Sequence, residues 1–237
     1  MRVLFFKKYP FLLVSKIFTH YFYNSYIYIL VITKIEKQKK NSKRWNLYVD
    51  GEFACGISED TFLNFGLRTN DEITEDTING IKKFDEYQYA KKSALDFLSY
   101  RIRSIAEIKD KLKSKKISSG TIDKTIAHLG KLGLINDEEF AKQLVQSKMG
   151  KKPSGRKVIR QKLFQKGISK DTADKVIEEL YTPDKENELI TDIYNKYTKK
   201  LEGKDKFQKR RKLFEHLIRK GFDIDAINEL LNEKLKE

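Results

Sequence analysis

The sequence predicts a mainly α-helical protein: three tandem three-helix repeats in an elongated array, preceded by a small N-terminal β-hairpin/α unit. Three observations predict it. Proline occupies only three of 237 positions while Lys, Glu, Leu and Ile abound, a balance that favours helix. One apolar frame recurs three times in the C-terminal two thirds of the chain. Two alternating apolar runs flank a single Asp-Gly pair near the N-terminus.

Residues 1–31 differ from everything after them. They hold four bases (Arg2, Lys7, Lys8 and Lys16) and no acid, and residues 17–33 are dense in tyrosine. A leader outside the fold is expected here. Sequence translated from a start placed too early, a membrane-surface or spanning helix, and a signal peptide are the readings to weigh. The fold is expected to begin near Ile32.

An N-terminal unit is expected over 32–88. Ile32 to Ile35 alternates, as do Trp45 to Val49 and Glu52 to Ile57. Asp50-Gly51 between the last two runs suits a type I′ turn, whose two central residues both need positive φ. Ser58 is placed to cap a short helix over 59–65 that stops at Gly66. Thr74 marks a further helix start. Cys55 lies on a strand with no base beside it in sequence, which suits a small structural residue rather than a nucleophile.

Helical periodicity takes over from about Tyr89, and repeats are expected over 89–136, 137–183 and 184–237. Ile108 and Leu112 precede Ile117, Ile159 and Leu163 precede Ile168, and Leu213 and Leu217 precede Phe222. From each of those last residues, the anchors of the frame, apolar side chains fall at +5 and +9, and at +12 in the first two copies. The anchors themselves are almost evenly spaced along the chain. Each copy reads as helix, tight turn, helix, with one more helix ahead of it at 94–103, 140–149 and 186–200. Ser104 with Glu107 forms a capping-box pattern, and Asn136 before three acids marks another start. Units this short bury little alone, so neighbours are expected to share apolar surface.

Charge narrows the function. Lys and Arg number 49 against 34 Asp and Glu, a formal net charge of +15, which favours a polyanionic partner. The stretch from Phe140 to Lys170 contains ten bases and no acid. A second cluster runs from Lys206 to Lys212, and a weaker one includes Arg101 and Arg103. The candidate filament- or nucleic-acid-binding residues are Arg101, Arg103, Lys148, Lys151, Lys152, Arg156, Lys157, Arg160, Lys162, Lys209, Arg210 and Arg211.

Catalytic chemistry finds no support. One cysteine cannot build a disulfide framework or a multi-thiolate zinc site, and it fits a reducing compartment. His20, His128 and His216 are scattered, so no paired-imidazole motif forms. Gly150 and Gly155 have the spacing of a phosphate loop, yet Arg156 and Lys157 stand where Lys and Ser/Thr are required. No metal, cofactor or small-molecule substrate is expected, and no enzyme.

The repeat frame, the basic joint and the hairpin together resemble the bacterial RecX family, regulators of the RecA recombinase. The residues that carry the resemblance are Ala94-Leu95, Arg101, Arg103-Ser104, Glu107-Ile108 and Lys111-Leu112, then Leu132 to Asp137 and Phe140-Ala141. Gly155, Ile159, Leu163 and Lys166-Gly167-Ile168 continue it, and Ile32 to Glu36 with Tyr48 to Phe53 are similar to longer members. The likeness spans about residues 32–237. It implies a cytoplasmic, monomeric, non-enzymatic protein that lies in the groove of the RecA–DNA filament, contacts several protomers and inhibits ATP hydrolysis and strand exchange, limiting repair and the SOS response. Single- or double-stranded DNA is a further candidate ligand. The competing reading takes residues 104–135 as a winged helix-turn-helix of a transcription regulator, which requires a β wing to follow.

Overall fold

The computed structural model describes residues 28–150 and 153–235; the expectations for residues 1–27 lie outside the described residues. Two units divide the chain, one ending at Asp85 and the other beginning at Glu86.

In the first unit, strands β1 (Ile29–Gln38), β2 (Asn41–Val49), β3 (Glu52–Ser58) and β4 (Glu72–Thr74) form an antiparallel sheet in the order β3-β2-β1-β4. Asp50 (φ 49°) and Gly51 (φ 86°) make the expected turn. Alternation buries Ile32, Leu47, Val49, Cys55 and Ile57 on one face. Helix α1 (Glu59–Phe65) starts at Ser58, whose hydroxyl accepts the Thr61 amide, and ends at left-handed Gly66. The sheet is larger than a hairpin. Strand β1 starts at Ile29, so Ile29, Leu30 and Val31, which the sequence reading placed before the fold, pair with β4. Burial disfavours ionisation of the Asp85 carboxyl, but bonds from the Ser58 amide and the Thr61 hydroxyl, with Arg44 3.1 Å away, hold its pKa below the ordinary value. Burial pushes the Cys55 thiol up, as suits a structural cysteine.

Helix α2 (Glu75–Leu98) runs from one unit into the other. Its early turns give Ile78 and Ile81 to the first core and its later turns give Ala90 and Ala94 to the next. The sequence reading placed a helix over 94–103. The helix instead stops at Leu98, because side chains take over its last carbonyls: the Ser99 hydroxyl donates to the Asp96 carbonyl and Arg103 Nε to that of Phe97. Leu95 faces solvent, and Ile102 lies beyond the helix.

The second unit continues with α3 (Ile105–Ser114), α4 (Ser119–Lys131), α5 (Asp137–Met149), α6 (Arg156–Gln165), α7 (Lys170–Leu180), α8 (Pro183–Thr198), α9 (Lys206–Arg219) and α10 (Ile224–Lys234). No strand follows α4 among the described residues, so the wing demanded by the transcription-regulator reading is absent. All the Ile and Leu that precede the anchors are fully buried. Each anchor follows a left-handed residue, namely Lys116 (φ 61°), Gly167 (φ 75°) and Gly221 (φ 82°). The anchor amides donate back to Leu112 (3.3 Å), Leu163 (3.0 Å) and Leu217 (3.3 Å). These are three copies of one helix-ending turn.

Lys116 is the odd member, since a side chain in the left-handed region is strained where glycine is not. Lys116→Gly is expected to stabilise the protein by about 1 kcal/mol, read as a higher urea midpoint. An unchanged or lower midpoint contradicts this account of the turn.

Sharing of apolar surface is uneven. Repeats two and three build one core, from Phe140 through Leu231, while repeat one has its own, from Ala90 to Ile135. At the joint between repeats two and three, Gly155 N–H donates to the Lys220 carbonyl (2.8 Å) and Lys157 N–H to that of Gly221 (3.2 Å). Gly155, the second glycine of the spacing that imitated a phosphate loop, is therefore a packing residue. At the joint between repeats one and two, Gly167 lies against Ala106, so close that an added methyl would fall 2.3 Å from the Ala106 Cβ.

Candidate functional site

The twelve candidate cations sort by residue type. Every arginine among them has an intramolecular partner. Arg101 forks onto both oxygens of Glu107 (2.9 and 3.1 Å). Arg103 lies 3.9 Å over the Phe97 ring, Arg156 donates to buried Glu186 (2.9 Å) and Arg160 to Asp174 (2.7 Å). Arg210 donates to Asn232 (2.8 Å) and Arg211 to Glu215 (3.0 Å). Lys148, Lys157, Lys162 and Lys209 form no ion pair among the described residues, and Lys151 and Lys152 lie outside them. The division follows from chemistry. The planar guanidinium fork suits fixed pairing, although lysines elsewhere, such as Lys142 and Lys175, also pair with carboxylates.

Three of the candidates meet at one place. Arg101, Lys148 and Lys162 line a cleft of about 450 Å³ between the first two repeats, with Ile102, Phe140, Gln143, Leu144, Ser147, Gln165 and Lys166. Phe140, Gln143, Leu144, Ser147 and Lys148 recur at the three-and-four spacing of a single face of α5. Lys162 and Gln165 do the same on α6, Lys166 follows just past its end, and the bend after α2 adds Arg101 and Ile102. Four cations and no acid line the cleft. Arg103, Arg156, Lys157, Arg160, Lys209, Arg210 and Arg211 are not among its lining residues.

Lys166 is the cation that sequence reasoning missed. It sits at the end of α6, where it reads as part of the turn before Gly167 and Ile168. Its Nζ reaches back to Glu107 (2.6 Å), the same carboxylate that holds Arg101. The expected capping box is thus half formed: Ser104 accepts the Glu107 amide, but the carboxylate of Glu107 pins two cations of the cleft instead of capping α3. The backbone amide at the start of α3, on Ile105, is taken by Asp137 at 2.8 Å.

Burial disfavours the charged form of Glu107, yet the bonds and charges of Arg101 and Lys166 outweigh it and hold the carboxyl at about 2 against an ordinary 4.5. A carboxylate with a depressed folded-state pKa stabilises the protein above its unfolded value. That stability is lost as pH falls from about 4.5 through 2. Glu107→Gln is therefore expected to cost about 2 kcal/mol at neutral pH, below the full linkage value because Arg101 and Lys166 are partly in water. Urea titrations of both proteins at descending pH check this: the gap should close towards pH 2. A pH-independent gap contradicts it.

Comparison with known proteins decides the family. Residues 30–74 match the family model described as the regulatory protein RecX N-terminal domain, and residues 90–129, 136–177 and 184–231 match the first, second and third three-helix domains of RecX. The chain belongs to the RecX family. It is 34% identical over 207 residues to the regulatory protein RecX of Clostridioides difficile strain 630, covering 86% of this chain and 96% of that one. It is 33% identical over 202 residues to the RecX of Staphylococcus aureus strain Newman, covering 85% and 74%. A crystal structure of a regulatory protein RecX superposes with a TM-score of 0.66 at 28% identity, over 86% of this chain and 99% of that one. RecX from Lactobacillus salivarius gives 0.60 at 31% identity, over 64% and 97%. RecX proteins are regulators and not enzymes, and this RecX-family chain is accordingly a regulatory protein. No helix among the described residues is long and apolar enough to cross a membrane.

Proposed function

We propose that this chain regulates a RecA-type recombinase by binding its DNA-bound filament and inhibiting ATP hydrolysis and strand exchange. The observation that carries the reading is the gathering of Arg101, Lys148, Lys162 and Lys166, with Glu107 as their one paired acid, along a cleft between consecutive repeats. A filament on DNA is a periodic polyanion, and repeats joined on one chain meet it at several points, so weak contacts reinforce one another. A protein that binds one state of the filament more tightly than another biases the filament towards that state. Inhibition is the direction of bias favoured here, with the protein acting as a monomer in the cytoplasm.

ATP hydrolysis by recombinase filaments on single-stranded DNA is the test. Adding the protein should slow hydrolysis, and the concentration needed should rise with salt, because salt screens the attraction between the cationic cleft and an anionic surface of the filament. Hydrolysis that is unaffected, or inhibited equally at all salt concentrations, contradicts the reading.

A further inference from the structure

We infer that the cleft between the first two repeats receives an acidic peptide segment that carries an apolar side chain, supplied by a partner protein, in preference to the backbone of DNA. This deepens the reading above, because a filament offers protein as well as DNA.

The lining is of two kinds. Arg101, Lys148, Lys162 and Lys166 supply four positive charges against the single Glu107 carboxylate that pairs with Arg101 and Lys166, while partly exposed Ile102 and Leu144, with the edge of buried Phe140, supply apolar surface between them. A duplex presents phosphates on a convex polar rod and has nothing to place against the apolar part of the lining. A peptide does: its carboxylates meet the cations while a leucine or phenylalanine covers the hydrocarbon. At about 450 Å³ the cleft falls within the ~300–1,000 Å³ range of concave sites that enclose small groups. Ser147 and Gln165 line it with no intramolecular side-chain bond among the described residues, which leaves their polar atoms for a peptide backbone. Two of the cations are already held in place by Glu107, so less side-chain freedom is lost on binding. The stretch ahead of β1, residues 1–27, is a poor occupant, having four bases and no acid.

Fluorescence anisotropy with the full chain tests the inference. The probes are a fluorescein-labelled Gly-Glu-Glu-Leu-Phe-Glu-Glu-Gly peptide, its counterpart with Gln for every Glu, its counterpart with Ser for Leu and Phe, and labelled oligothymidylate. The acidic apolar peptide should bind. The Gln version should bind at least about tenfold more weakly and the Ser version at least about fivefold, since charge pairing and apolar burial each contribute. Gln143→Trp, which fills the cleft without altering its charge, should abolish peptide binding, with circular dichroism confirming unchanged helix.

No binding by the acidic peptide, equal binding by the Ser version, or binding that survives Gln143→Trp overturns the inference. So does oligothymidylate that displaces the peptide and is itself lost on Gln143→Trp, which makes the cleft a nucleic-acid site. If the protein inhibits filament hydrolysis while the peptide fails to bind, the peptide site is refuted and the regulator reading stands. If the peptide binds and filaments are unaffected, the reverse holds.

Discussion

Gly155→Ala is expected to destabilise the protein by about 3 kcal/mol or more, at the upper end of what overpacking costs. Gly155 has an ordinary φ of −74°, so the penalty is not one of backbone conformation. It is steric: the new methyl would fall 2.1 Å from the Gly221 carbonyl oxygen and 2.3 Å from the Phe222 nitrogen. Both neighbours are backbone and cannot rotate away. They also belong to the turn that fixes repeat three against repeat two, so relief at this point strains two hydrogen bonds and the shared core. Gly80→Ala is the matching control. It lies inside α2 with nothing within 4 Å of the added methyl, and removing a helical glycine there should stabilise by roughly 0.5–1 kcal/mol. Urea midpoints of the two variants should move in opposite directions. A Gly155→Ala protein as stable as the parent would mean that the joint is not the close contact described.

Lys148→Glu with Lys162→Glu is expected to raise the concentration needed for half-maximal inhibition of filament ATP hydrolysis by at least about tenfold, equivalent to about 1.4 kcal/mol. Two attractions become two repulsions at one place, and both side chains lie beside an acid-free surface. Neither lysine holds an ion pair within the described residues, so the substitutions should leave the helices and the stability close to those of the parent. Lys209→Glu, outside the cleft, is the control and should have a much smaller effect. Arg156 is unsuitable for such a test. It neutralises buried Glu186 and lies 5.2 Å from the centre of the Tyr181 ring, so reversing its charge would damage the fold as well as the surface.

The helix–turn–helix frame was legible because it rests on periodicity and on turn chemistry that recurs: buried Leu at the end of one helix, a left-handed residue, then a buried anchor. Lys116 hides that chemistry in the first copy, where only the apolar spacing of Ile108, Leu112 and Ile117 shows it. Strand β4 was not legible, since so short a strand carries too little alternation to register. Nor was the end of α2, which Ser99 and Arg103 set through bonds to its terminal carbonyls rather than through apolar pattern. The site was half legible. Acid depletion after Phe140 pointed to the stretch of chain that supplies most of the cleft lining, and Arg101, Lys148 and Lys162, named from the sequence, lie along it. The sequence does not say which bases pair internally. That depends on acids far along the chain, such as Asp174 for Arg160 and Glu186 for Arg156. The cleft itself was hidden for a related reason: α5 gives it cationic and apolar residues from one face, so no helical wheel separates the two.

Co-sedimentation with recombinase filaments on single-stranded DNA, beside bare single-stranded DNA, is the most direct measurement of the central claim. The parent protein should pellet with filaments in a salt-sensitive manner and more strongly than with bare DNA, and the Lys148→Glu, Lys162→Glu protein should remain in the supernatant. Equal pelleting of parent and variant, or recovery of the parent with bare DNA alone, would contradict the account.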